Sequence, residues 1–197
     1  MQQSHFPYLI AVASLCTVLA CGPARAEIEQ QNLTCDNKPC VKWWPKIPAP
    51  TRWHAEPDES KEFGVSMFAR DHATTDTRMY TYALRKSDTP KIRNLDDIIA
   101  RDKESHREGT AAEGKKFMTR SGMQLRSFLY SSPVDGRWEQ AAYGEDDNFF
   151  VVFYISTGSL NELSKSTYDF EGFVGSYQGS TKSKDQKKSP SAEKSKP

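Results

Sequence analysis

The residues of this 197-residue chain with chemistry to offer are few: a close pair of cysteines, two adjacent tryptophans, a run of carboxylates and scattered histidines. Cys35 and Cys40 flank Asp36-Asn37-Lys38-Pro39, turn residues that bring the two sulfurs together. Their spacing predicts a local disulfide. Redox pairs commonly have two intervening residues, and no second cysteine pair stands ready to complete a zinc site. Trp43 and Trp44 are the candidate binding residues. Neighbouring side chains of an extended segment point opposite ways, so both cannot face inward, and one is expected to meet a partner or to lie over Pro45. His54, His72 and His106 show no metal-ligand spacing such as H-E-x-x-H. His72 with Asp76 reads as a solvated loop, His106 as the exposed end of a helix, and His54 as packed under an N-terminal arm. Glu145, Asp146 and Asp147 lack the pattern of a calcium loop and read as a solvated turn. No G-x-S-x-G, P-loop or dinucleotide fingerprint occurs. The expectation is no catalytic residue, no metal and no cofactor. An unrecognised hydrolase site built from Asp71, His72 and Glu139 is the enzymatic alternative.

The leader explains why a disulfide suits this chain. Residues 9–20 (LIAVASLCTVLA) are apolar or small and too short to span a bilayer, but they fit the core of a secretory signal. Ala24-Arg25-Ala26 supplies a small-x-small cleavage site. Cleavage there leaves Glu27 first and a protein in the periplasm or secreted. The alternative is the lipoprotein-like Val18-Leu19-Ala20-Cys21, in which Cys21 takes lipid and anchors the protein to the outer membrane. Either route leads to an oxidising compartment.

Four segments follow: a signal peptide at 1–26, a Pro-rich arm with the disulfide at 27–57, one domain at 58–179, and a Lys/Ser-rich tail at 180–197. The tail's six lysines stand against Asp185 and Glu193, a net +4. With Arg25 in the leader and +1 overall, the body between carries −4. That balance argues against a nucleic-acid partner. The tail is too poor in apolar residues to fold and offers at most weak contact with an anionic membrane or wall polymer.

Elements able to position these residues are legible in the apolar periodicity. Alternation predicts strands over 63–70 and 78–86. A helix is predicted over 94–107, with Asn94 as cap and Leu95, Ile98 and Ile99 on its apolar stripe. Strands over 123–131, 137–143 and 148–156 follow, joined by turns at 133–136 and 144–147. The last, NFFVVFYIS, is apolar at nearly every position and predicts a central strand covered on both faces. Ser159 and Glu162 form a capping box for a second helix. The expected fold is α+β: an antiparallel sheet of about six strands flanked by two helices.

That order, carried by RWEQAAYG at 137–144, the strand at 148–156 and the closing Phe173-Val174-Gly175-Ser176-Tyr177, resembles the Mog1/PsbP-like sandwich superfamily over roughly 51–177. The resemblance implies action by binding, as an assembly factor, chaperone or adaptor. It implies no shared active site. The function expected is an exported accessory protein of the cell envelope that recognises a protein partner, the alternatives being the envelope hydrolase or a lipid-anchored surface or stress protein.

Overall fold

The computed structural model describes residues 28–72 and 76–179. Cys21, the leader and the 180–197 tail lie outside the described residues. Among the described residues, ten strands and three α-helices run in the order β1 (Ile28–Cys35), β2 (Lys38–Pro45), β3 (Trp53–Ala55), α1 (Pro57–Phe63), β4 (Ser66–Arg70), β5 (Arg78–Arg85), α2 (Leu95–Ser105), β6 (Thr110–Glu113), β7 (Phe117–Met118), β8 (Gln124–Ser131), β9 (Trp138–Glu145), β10 (Phe149–Thr157) and α3 (Leu160–Ser176). All strand pairings are antiparallel.

This overturns the expectation of about six strands flanked by two helices: the structure is mostly β, with ten strands and a third helix. The extra elements are those without an apolar pattern. β1 and β2 form a hairpin around Asp36 and Asn37, both at positive φ (49° and 62°), as a two-residue turn requires. Backbone pairing makes these strands from a polar sequence. All four residues of β6 are exposed. α1 begins with Pro57, carries Asp58 and Glu59 in its first turn, and ends at Gly64 with φ 68°, which are helix-boundary signals. Phe63 and Gly64 therefore close a helix, and the strand expected from 63 starts only at Ser66.

The sheet is built outward from β5-β10-β9-β8. β10 occupies one flank of β5 along its whole length. The other flank is divided: β4 pairs with Arg78–Thr81, and β2 meets it at Trp43↔Ala83. β8 is divided likewise between β6 and β7. At the start of β6, a Cβ on Gly109 would come within 1.6 Å of the Ser131 carbonyl oxygen, so the approach to the end of β8 admits only glycine.

Alternate residues of β10 face two separate cores. Val151, Phe153 and Ile155 pack with Leu163, Phe170, Phe173 and Val174 of α3. Phe150, Val152 and Tyr154 pack with Ile98 and Ile99 of α2. Asn94 caps α2 by accepting from the Asp97 N–H, and Ser159 caps α3 by accepting from the Glu162 N–H.

Candidate functional site

The layer beneath α2 is rich in tyrosine. Tyr80 and Tyr82 come from β5, Tyr130 from β8, Tyr143 from β9 and Tyr154 from β10. Tyr80 and Tyr154 stack with centroids 4.7 Å apart. Buried phenols need partners, and one α2 carboxylate supplies them. Asp102, only 8% exposed at its side chain, accepts from the Tyr143 hydroxyl at 3.0 Å and from the Tyr154 hydroxyl. Tyr130 and Tyr143 share a bond of 2.9 Å. The Arg101 Nε–H donates to the other Asp102 oxygen at 3.4 Å. Burial, followed by the Asp102 charge, raises the Tyr143 hydroxyl far above its ordinary pKa. Burial, followed by neighbouring Tyr82 and Tyr143, does the same for Tyr154. Tyr130 is pushed up to about 12, chiefly by burial. These phenols stay protonated and remain donors. The cluster fastens α2 to the sheet and is closed to solvent.

Beyond the edge of α2 the same aromatic floor reaches solvent. A hollow of about 380 Å³ is lined by Glu59, Glu62 and Phe63 of α1 together with Met67, Arg78, Tyr80 and Arg137. A second hollow of about 220 Å³ is lined by Trp43, Phe63, Tyr82, Leu84 and Arg101. Phe63 lines both and is itself 62% exposed. Four of the five charges lining the larger hollow satisfy one another, and Glu62 stands outside that network. Arg78 pairs with Glu59 at 3.3 Å and with Asp76 at 3.0 Å. Arg137 donates to Asp76 and to the Ser156 hydroxyl. Besides the Glu62 carboxylate, what the groove leaves unmet is apolar and aromatic surface.

No family model and no curated protein matches this chain.

Both candidate tryptophans are engaged within the molecule. The Trp43 indole packs edge-on against Phe149 (5.4 Å), lies under the Arg85 guanidinium and donates to Asp88 at 3.0 Å. Trp44 points to the opposite face of β2 and donates to the Gly64 carbonyl at 3.1 Å. The Trp43 ring is thus held on the α3 side of the sheet with Phe149, and the residue only borders the smaller hollow. The Cys35–Cys40 disulfide closes the tip of the β1–β2 hairpin, with Cα atoms 5.7 Å apart. Glu145 bonds to Lys86 and Asp146 accepts from Tyr177, so this turn is fastened to the protein at both residues. Asp71, His72 and Glu139 do not come together: Asp71 holds His54, Glu139 holds His106, and none of the three lines either hollow. Among the described residues, no three His, Cys, Asp or Glu side chains gather as a metal site, and no helix is long and apolar enough to cross a membrane. Apolar periodicity gives no sign of the groove, because its lip, Phe63, falls on the same alternation as Val65, Met67 and Ala69 of the strand that follows.

The two histidines are held by acceptors on both ring nitrogens. His54, exposed rather than packed under the arm, meets Asp71 at Nδ1 (2.6 Å) and Glu56 at Nε2 (2.9 Å). His106 closes α2: its Nδ1 meets the Asp102 carbonyl at 2.7 Å and the Ser105 hydroxyl at 3.1 Å, its Nε2 meets Glu139 at 2.9 Å, and its ring stacks on Tyr130. Asp71, then Glu56, raise the His54 pKa. For His106, burial opposes the charge, but the Asp102 carbonyl and Glu139 outweigh it and the pKa is raised. Folding therefore binds these protons more tightly. The stability they confer is complete below the unfolded value of about 6.5 and is lost as pH rises through the folded values. Thermal midpoints are expected to fall as pH is raised above about 6.5, and to fall less in His54→Gln/His106→Gln. Parallel curves for the two proteins would contradict this.

Proposed function

We propose that this is an exported binding or accessory protein of the cell envelope, in the periplasm or secreted or carried on lipid at Cys21, that acts by recognising a protein partner. The observation that carries the reading is the open aromatic groove around Phe63. Large exposed aromatics beside a concavity characterise protein recognition more than a solvated surface does. Because Arg78, Arg137, Glu59 and Asp76 neutralise one another, the groove suits an apolar side chain on a polypeptide better than a charged small ligand. The Cys35–Cys40 disulfide and the apolar leader support the oxidising address.

A photo-crosslinking residue at position 63 tests this in intact cells. It is expected to capture one dominant protein, while the same residue at Tyr168, 83% exposed on α3, captures only background. The purified partner should then bind the protein at least about tenfold more weakly when Phe63 is replaced by Asp, with the thermal midpoint preserved because the side chain lies at the surface. Identical capture patterns from positions 63 and 168 would overturn the reading.

A further inference from the structure

The outer strand of the hairpin is an edge that this fold leaves open. Edge strands are ordinarily blunted by brevity, lysine, proline or a bulge. β6 is short, at four residues, and β3 has three. β1 has eight residues, contains neither Lys nor Pro, and pairs with β2 in eight consecutive steps without a bulge. Among the described residues it has no second neighbour. Its single ionisable carboxylate, Glu29, is bonded to Lys46 at 2.7 Å.

The register fixes which backbone groups face outward. The two-residue turn makes Cys35↔Lys38 a hydrogen-bonded pair, and bonded and non-bonded pairs then alternate along the ladder. Thr34↔Pro39, Asn32↔Val41, Gln30↔Trp43 and Ile28↔Pro45 are the non-bonded pairs. Pro39 and Pro45 thus sit where an N–H would point away from β1, which caps the other flank of the hairpin. Trp43, of the same parity, turns its backbone to Ala83 of β5, which agrees with this assignment. On β1 the matching outward positions are Gln30, Asn32 and Thr34, all exposed. Proline guards one side of the hairpin, and among the described residues nothing guards the other.

We infer that β1 pairs with β1 of a second copy of this chain, antiparallel across a two-fold axis at Asn32. In that register Asn32 exchanges both backbone hydrogen bonds with its counterpart, and Gln30 exchanges them with Thr34. Glu29 falls opposite Cys35, so no like charges meet. The amide and hydroxyl side chains of Asn32, Gln30 and Thr34 share one face and lie side by side across the junction. An isologous contact of this kind is self-complementary by symmetry, and its small size makes the dimer a weak one. The inference is independent of the groove.

Sedimentation velocity on the protein as purified from the expressing cell, from about 5 µM to about 500 µM, reads the association directly. A reversible monomer–dimer equilibrium is expected. Asn32→Pro removes an outward N–H and the exposed Gln30–Asn32 side-chain bond but no bond of the β1–β2 ladder, so the hairpin and the thermal midpoint persist while the dimer is lost. Asn32→Cys places two Cα atoms about 5.5 Å apart across the axis, within disulfide reach, and should give a covalent dimer on mild oxidation. A monomer throughout the range, a dimer untouched by Asn32→Pro, or the absence of the Asn32→Cys crosslink would each overturn the inference. Retained dimerisation with lost partner capture at position 63 would separate this contact from the groove.

Discussion

Phe153→Ala is expected to destabilise the protein by about 3–5 kcal/mol, the range for emptying a buried phenylalanine site. Phe153 is fully buried in β10. Its ring meets Phe173 at 5.9 Å and Tyr177 at 5.7 Å, both edge-on. The surroundings have little freedom to close the gap. β10 is laddered on both sides, to β5 and to β9, and the residue paired with Phe153 on β9 is Ala142, which is too small to fill it. The Tyr177 hydroxyl is committed to Asp146 at 2.9 Å, which anchors the end of the chain after α3. Urea unfolding should show the loss as a lowered midpoint with an unchanged slope. A loss below about 1.5 kcal/mol would mean that the α3 layer repacks freely and that the account of this core is wrong.

Asp102→Ala is expected to cost about 2–4 kcal/mol, through a different mechanism. The substitution removes few apolar contacts but takes the acceptor from the Tyr143 and Tyr154 hydroxyls and the adjacent carboxylate from Arg101. The two phenols keep one another at 3.3 Å, and Tyr143 keeps Tyr130, so the cluster becomes a chain of hydroxyls without a charged terminus. Asp102→Asn retains an acceptor oxygen and should recover part of the loss. Tyr143→Phe removes one donor and should cost only about 1 kcal/mol. Equal losses for Asp102→Asn and Asp102→Ala would show that the negative charge, rather than the acceptor, holds α2 in place.

The two cores were legible in the sequence because burial writes itself into periodicity. The run at 148–156 is apolar on consecutive positions, and β10 is accordingly buried from Phe150 to Thr157. Asn94 and Ser159 were legible as caps because their side chains must satisfy free backbone donors, and both do so. What escaped was structure that does not depend on burial. β1 and β6 are held by backbone pairing on polar residues. α1 is recorded in boundary residues, Pro57 and Gly64, rather than in an apolar stripe. The tryptophans were legible as two residues needing opposite surroundings, and they have them, but Asp88 and Gly64 as their partners come from distant parts of the chain. The groove escaped for the same reason, since its wall joins α1, β4 and β5 with Arg137.

The Cys35–Cys40 bond closes a span only five residues apart in sequence, so it takes little freedom from the unfolded chain. The interior around β10 is assembled almost wholly from residues that come after Cys40 in the chain. Acquisition of the native interior and oxidation are therefore separable in time. The chain can consolidate first, and the Asp36-Asn37 turn then delivers the two thiols to each other, so a thiol oxidant acts on a finished hairpin rather than steering the path to it.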